Sequence, residues 1–231
     1  MKYKDKEEYN FDDLINIMAI LRSENGCPWD KEQTHKSIRN NFIEEVYEAV
    51  EAIDEDNPEL LKEELGDVLL QVVFHAQMSY ENKEFDINGV CDNICKKLII
   101  RHPHIFANVT AETSEQVLSN WENIKIKEKG YISNREYLES VSKSLPALMR
   151  AEKIQKRLIK RNIVEKPEID DLINRLREDF NEIEQSKNSN TNKISEIIGR
   201  TLYDIAGLSE RLNLNSEQVL HDFNKDVIKN N

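Results

Sequence analysis

Five acids within residues 41–78 stand at spacings that a helix would gather: Glu44, Glu45 and Glu48, then Glu64 and Asp67. At about 100° per residue, Glu44 and Glu48 fall roughly 40° apart around a helix, and Glu45 and Glu48 roughly 60°. Glu64 and Asp67 are again three apart. Carboxylates that converge at a partly buried place repel one another unless a cation neutralises them. A hard divalent ion with oxygen ligands meets that need, and Mg2+ characteristically takes a few carboxylates together with substrate phosphates. The chemistry in view is metal-bound phosphate chemistry. The competing reading of the same spacing is an acidic surface on two helices joined by salt bridges, since exposed charge is common on soluble helices.

The elements that would position these acids can be read around them. Between the clusters lies IDEDNPE, with Asn57 placed to cap a helix and Pro58 to begin one. So short a loop makes the helices antiparallel neighbours, and the clusters can face each other. Phe42, Val46, Ala49, Val50 and Ile53 make an apolar stripe on the first helix. Leu61, Leu65, Val68, Leu69, Val72, Val73 and Ala76 make a broad one on the second, with Glu64, Asp67 and Gln71 as a thin polar line beside it. The second helix is apolar around too much of its surface for a lone bundle, which predicts a further partner.

Residues 11–24 carry Leu14, Ile15, Met18 and Leu21 at helical spacing, a first helix ended by Asn25-Gly26. Cys27-Pro28-Trp29-Asp30 then reads as a rigid loop, because proline restricts itself and the residue before it. Asp86 is placed to cap a further helix with Ile87, Val90, Cys91, Ile94 and Leu98 inward. Ser114 begins another, with Val117, Trp121 and Ile124 inward. Residues 130–145 read as a loop or linker, 146–161 as a basic helix, 168–185 as a helix and 186–192 as a polar loop. Helices over 193–212 and 216–228 close an all-α chain.

Composition narrows the function classes. The net charge of −12 argues against a broad nucleic-acid-binding face, while a small polyanionic substrate stays compatible if metal and local cations receive it. No run of about 18 apolar residues suggests a membrane span, and the charged start MKYKDKEEYN is unlike a signal peptide. The three cysteines are an odd number; Cys91 and Cys95 lack a second pair to complete a zinc site, so they read as reduced core thiols of a cytosolic protein. His102 and His104 hint at zinc too, but Pro103 and the missing partners favour a structural turn.

Glu44-Glu45-Val46-Tyr47-Glu48 followed by Glu64-Leu65-Gly66-Asp67 is EExxE then ExxD across a helix–loop–helix. This pattern resembles the MazG family of nucleoside triphosphate pyrophosphohydrolases. NGCPWDKEQTH at 25–35, KLIIRHPHIF at 97–106 and NWENIK at 120–125 are similar to elements that the family has in the same order. The resemblance covers the first ~130 residues. It implies four-helix-bundle units of the all-α NTP pyrophosphohydrolase type, paired as a homodimer. It implies hydrolysis of a nucleoside triphosphate to monophosphate and pyrophosphate, with Mg2+ (or Mn2+ in its place) held by Glu45, Glu48, Glu64 and Asp67, and Glu44 assisting or orienting water. Lys97 and Arg101, otherwise two ordinary snorkelling cations, would then hold phosphates. Trp29 would stack on a base or pack over the bundle end, Lys31 would sit near phosphate, and Asn120 and Lys125 are weaker candidates for substrate contact.

The second half reads as a worn copy of the first, giving a catalytic domain over 1–130 and a degenerate one over 131–231. Glu178-Asp179-Phe180-Asn181-Glu182 repeats the first acidic pattern, but the ExxD acids have become Ile197 and Arg200. An isoleucine cannot ligate Mg2+ and an arginine would repel it, so this copy is expected to be inactive. Two rivals stay open. A di-iron carboxylate bundle would need an ExxH on each of two core helices, and the one near the site is Glu32-Gln33-Thr34-His35. The other rival is a non-catalytic regulator that binds a partner through its helical faces.

Overall fold

A computed structural model describes residues 6–130, 133–186 and 191–230. Residues 1–5 of the charged start, 131–132 of the predicted linker and 187–190 of the predicted polar loop lie outside that description. Every regular element among the described residues is a helix. They form two compact units that divide between Ile124 and Lys125. Among the described residues, no helix is long and apolar enough to cross a membrane.

The first unit holds α1 (Phe11–Leu21), α2 (Pro28–Glu32), α3 (Arg39–Asp54), α4 (Pro58–Glu81), α5 (Ile87–Arg101), α6 (Pro103–Phe106) and most of α7 (Ser114–Lys129). α1 starts at a capping box: the Asn10 side chain accepts from the Asp13 N–H, and the Asp13 carboxylate accepts from the Asn10 N–H. α4 starts at Asn57, whose Oδ1 accepts from the Leu60 N–H at 3.2 Å, with Pro58 in the first turn. α1, α3 and α5 all pack on α4. The core gathers Met18, Ile38, Val73, Phe74, Ala76, Met78 and Ile87, so it lies along the second half of α4. Each of these side chains other than Ala76 contributes about 1.5–3 kcal/mol of burial.

That placement leaves the first half of α4 with α3 along it. The buried residues of α3 are the small Ala49 and Ala52, and α3 packs on α4. Val46, Val50 and Ile53, of the apolar stripe on this helix, stand 42%, 38% and 57% exposed, and Leu65 on α4 stands 53% exposed. α5 meets the core at its start through Ile87 and Val90. Its predicted inward residues Ile94 and Leu98 are exposed, and Cys91 and Cys95 are free and exposed, not core thiols. The CPWD stretch is also not a loop. Pro28 occupies the first turn of α2, a position where its missing N–H costs nothing. His102 Nδ1 lies 2.6 Å from the Leu98 carbonyl where α5 gives way to α6, the structural turn that Pro103 predicts.

The second unit holds α8 (Asn134–Glu139), α9 (Ala147–Lys160), α10 (Ile169–Ser186), α11 (Thr191–Arg211) and α12 (Ser216–Lys229). α9, α10 and α12 pack on α11, with Leu172, Ile197 and Ala206 fully buried. α8 falls inside the predicted linker and is fixed by a Ser133–Glu136 capping box. The Tyr137 ring is buried, with the guanidinium groups of Arg157 and Arg161 over it at 4.5 and 4.6 Å from its centre. That clamp ties the segment to α9.

Candidate functional site

α3 and α4 bring Glu45, Glu48 and Glu64 together: one carboxylate oxygen from each lies within 4.8 Å of the others. It is the group of three or more metal-ligating side chains found among the described residues, and it contains no histidine. Asp67 stands one turn beyond Glu64 and acts on the group through its charge. Burial raises the Glu45 carboxyl above its ordinary range, and the charges of Asp67 and Glu48 push it further. Glu64 is raised by burial, then by Glu48 and Asp67. Glu45, Glu48, Glu64 and Asp67 make no ion pair with a lysine or arginine among the described residues. Hard oxygen donors with unbalanced mutual repulsion fit a hard divalent cation. Glu44 is exposed on α3 and does not join the group.

The other predicted residues are distributed around this hairpin. Trp29 is 56% exposed on α2. Lys31 donates to the Glu24 carbonyl at 2.7 Å, which closes the turn leading into α2. Lys97 is half-buried on α5, and the Arg101 guanidinium lies 5.3 Å from the centre of the Trp121 ring of α7. Asn120 and Lys125 lie on α7, on either side of the division between the units.

Three further features shape this region, and the first two join residues too far apart in sequence for a local spacing to show. Arg22 bonds Glu81 through Nε at 2.9 Å and Nη2 at 2.7 Å, and also donates to the carbonyls of Asp30 and Gln33. Its guanidinium lies over Phe74 at 5.4 Å, so one side chain pins the Trp29 segment to α4. His35 and His75 meet Nδ1 to Nδ1 at 2.7 Å with ring planes 4° apart, and His35 Nε2 lies 3.4 Å from Ser79 Oγ. Gln71 is buried one turn beyond Asp67, its Oε1 without a partner among the described residues.

The second unit repeats the hairpin with different chemistry. Arg200 Nη2 lies 2.5 Å from Asp179 and 2.9 Å from Glu182, and its Nε donates to Asp179 at 2.7 Å. Thr201 Oγ1 donates to the other Asp179 oxygen at 3.1 Å. Lys193 lies 3.1 Å from Glu182, whose carboxyl Arg200 and Lys193 hold below its ordinary range. Ile197, at the place matching Glu64, is buried.

An all-α hairpin with carboxylates facing across it defines the class of this chain. A family model described as the MazG nucleotide pyrophosphohydrolase domain matches residues 33–106, which contain both acidic clusters. The nucleoside triphosphate pyrophosphohydrolase of Escherichia coli (strain K12) is 51% identical over 147 residues, 63% of this chain and 56% of that protein. The matched part therefore spans little more than half of that relative. The nucleoside triphosphate pyrophosphohydrolase/pyrophosphatase MazG of Thermotoga maritima is 38% identical over 219 residues, 95% of this chain and 83% of the relative. A nucleoside triphosphate pyrophosphohydrolase of Mycolicibacterium smegmatis is 38% identical over 148 residues, 63% of this chain and 45% of the relative. The chain belongs to the MazG family.

Proposed function

We propose that this chain is a nucleoside triphosphate pyrophosphohydrolase that cuts between the α- and β-phosphates, with its site on the α3–α4 hairpin. The observation that carries the reading is the convergence of Glu45, Glu48 and Glu64 with no basic partner among the described residues. Together with Asp67 they would hold Mg2+, or Mn2+ in its place. When bound, such an ion polarises the α-phosphoryl group and lowers the pKa of an attacking water. Glu44, at the exposed edge of α3, assists or orients that water. The water oxygen bonds to the α-phosphorus as its proton passes to solvent, the bond to the bridging oxygen breaks, and pyrophosphate leaves with the electron pair. Lys97 and Arg101 balance charge on the phosphates, Arg101 offering a planar donor fork. Trp29 is exposed and free to stack on a base, with Lys31, Asn120 and Lys125 as further substrate contacts.

The second hairpin is a degenerate copy that does no hydrolysis. The exposed edge of Val46, Val50, Ile53 and Leu65 supports a homodimer, because a contiguous apolar surface on a soluble chain marks an interaction site. The acidic charge and free cysteines suit a cytoplasmic protein that acts on nucleotides in solution, neither on nucleic acid nor at a membrane. A panel of nucleoside triphosphates assayed with Mg2+ tests the reading. Monophosphate and pyrophosphate are the expected products. Orthophosphate as the first inorganic product, without added pyrophosphatase, would contradict it.

A further inference from the structure

The two hairpins match residue for residue: Asp179 stands for Glu45, Glu182 for Glu48, Ile197 for Glu64 and Arg200 for Asp67. We propose that Arg200 is a built-in cation, which takes the electrostatic place of a divalent ion in the second hairpin and keeps such an ion out. This rests on reading the first cluster as a cation site.

The geometry supports it at each contact. Asp179 is 2% exposed, and a carboxylate so buried needs a charge partner and hydrogen bonds. Arg200 supplies the charge at 2.5 Å, and Thr201, at the place of Val68, supplies a hydroxyl at 3.1 Å. The same guanidinium reaches Glu182 at 2.9 Å, so a single cation bridges the two acids that answer to Glu45 and Glu48. An arginine suits the task because its fork bridges two carboxylates and it never deprotonates at working pH. Asp204, at the place of Gln71, is buried and has Arg175 at 3.4 Å. Ile197 closes the remaining ligand position with an apolar side chain packed in the core. The second hairpin thus carries its own counter-charges, and its fold does not depend on metal supply. In the first hairpin, Glu45, Glu48, Glu64 and Asp67 have no basic partner among the described residues.

The test counts Mn2+ bound per full-length chain by electron paramagnetic resonance, with circular dichroism to report folding. Glu45→Gln with Glu48→Gln should remove the Mn2+ that the wild type takes and leave none at the second hairpin. Adding Ile197→Glu and Arg200→Asp to that pair should restore Mn2+ toward one per chain, and Mn2+ should then raise a melting temperature that it leaves unmoved in the parent. If the parent keeps Mn2+ that Asp179→Asn removes, Arg200 does not exclude the ion and the proposal falls. It also falls if the four-substitution chain folds but takes no Mn2+. If that chain does not fold, Arg200→Gln and Arg200→Lys decide in EDTA: the glutamine variant should melt lowest, and the lysine variant, which keeps the charge but not the fork, should fall between it and wild type. Unchanged melting of Arg200→Gln overturns the proposal. Wild type taking no Mn2+ would be a failure of the first cluster, and the Arg200→Gln and Arg200→Lys comparison would still decide the role of Arg200.

Discussion

A carboxylate oxygen of Glu48 lies within 4.8 Å of one on Glu45, across one turn of α3. Ionised carboxylates only accept hydrogen bonds, so at that distance the two repel each other. Without a cation, burial and the neighbouring acids hold the Glu45 carboxyl above the usual carboxylate range. With a cation, both can ionise and serve as ligands. The pH behaviour of the hairpin and its metal affinity are therefore two views of the same repulsion.

The first prediction follows from the sign of those shifts. Glu45 and Glu64 are raised above their unfolded values, so the folded state holds more protons through that window. In the metal-free protein their contribution is most favourable below about pH 4.3, the unfolded value, and is lost as pH rises through the raised folded values. Millimolar Mg2+ or Mn2+ should thus raise the melting temperature more at pH 7.5 than at pH 5. At 100 times its Kd the ion should add about 2.7 kcal/mol, and Glu64→Gln should abolish most of that gain. A melting temperature indifferent to metal at both pH values, with nucleotide present, would speak against the cluster.

The histidine pair predicts the opposite slope. Burial, and then the neighbouring His35, hold His75 below the usual histidine range. A histidine depressed on folding contributes stability that is present above about pH 6.5, its unfolded value, and is lost as pH falls from there. Protonating both rings also leaves neither Nδ1 able to accept. Urea midpoints at pH 7.5 and 5 should fall further in wild type than in His75→Phe. An equal fall in both would remove the pair from the account.

Arg22→Ala should destabilise the chain by about 2 kcal/mol. That is less than the ~3–5 kcal/mol of a broken fully buried pair, because Glu81 keeps about a third of its side chain in water. The Asp30 and Gln33 carbonyls lose a donor in the same step. Urea unfolding checks the magnitude. Fluorescence of Trp29, measured in a Trp121→Phe background, should report a loosened segment. No change in either would mean that the pin is ornamental.

Much of this hairpin was legible from local signals. Asn57 and Pro58 mark the start of α4 through requirements of the backbone itself, and the acidic spacing places Glu45, Glu48 and Glu64 on facing sides. What was not legible depends on neighbours. Periodicity says that Val46, Val50, Ile94 and Leu98 lie on apolar faces, but not which element covers them. In this chain the buried residues of α3 are its alanines, and α5 meets the core at its start. His35 and His75 are forty residues apart and Arg22 and Glu81 fifty-nine, so no window of sequence joins them. Cys27-Pro28-Trp29-Asp30 reads as a rigid loop, yet Pro28 opens α2, because proline suits a loop and a first helical turn alike.

The central claim is that hydrolysis belongs to the first hairpin. Glu48 and Glu182 occupy matching places, yet Glu48 faces other acids while Glu182 faces Arg200 and Lys193. The deciding measurement is turnover of a nucleoside triphosphate by Glu48→Ala and Glu182→Ala, compared at equal folded fraction by circular dichroism. Losing a ligand of a catalytic ion removes both water activation and charge stabilisation, so Glu48→Ala should lower turnover by orders of magnitude. Glu182→Ala should stay within about twofold of wild type, as a surface change with no such mechanism attached. Greater damage from Glu182→Ala than from Glu48→Ala, with both folded, would place the chemistry in the second hairpin and contradict the assignment.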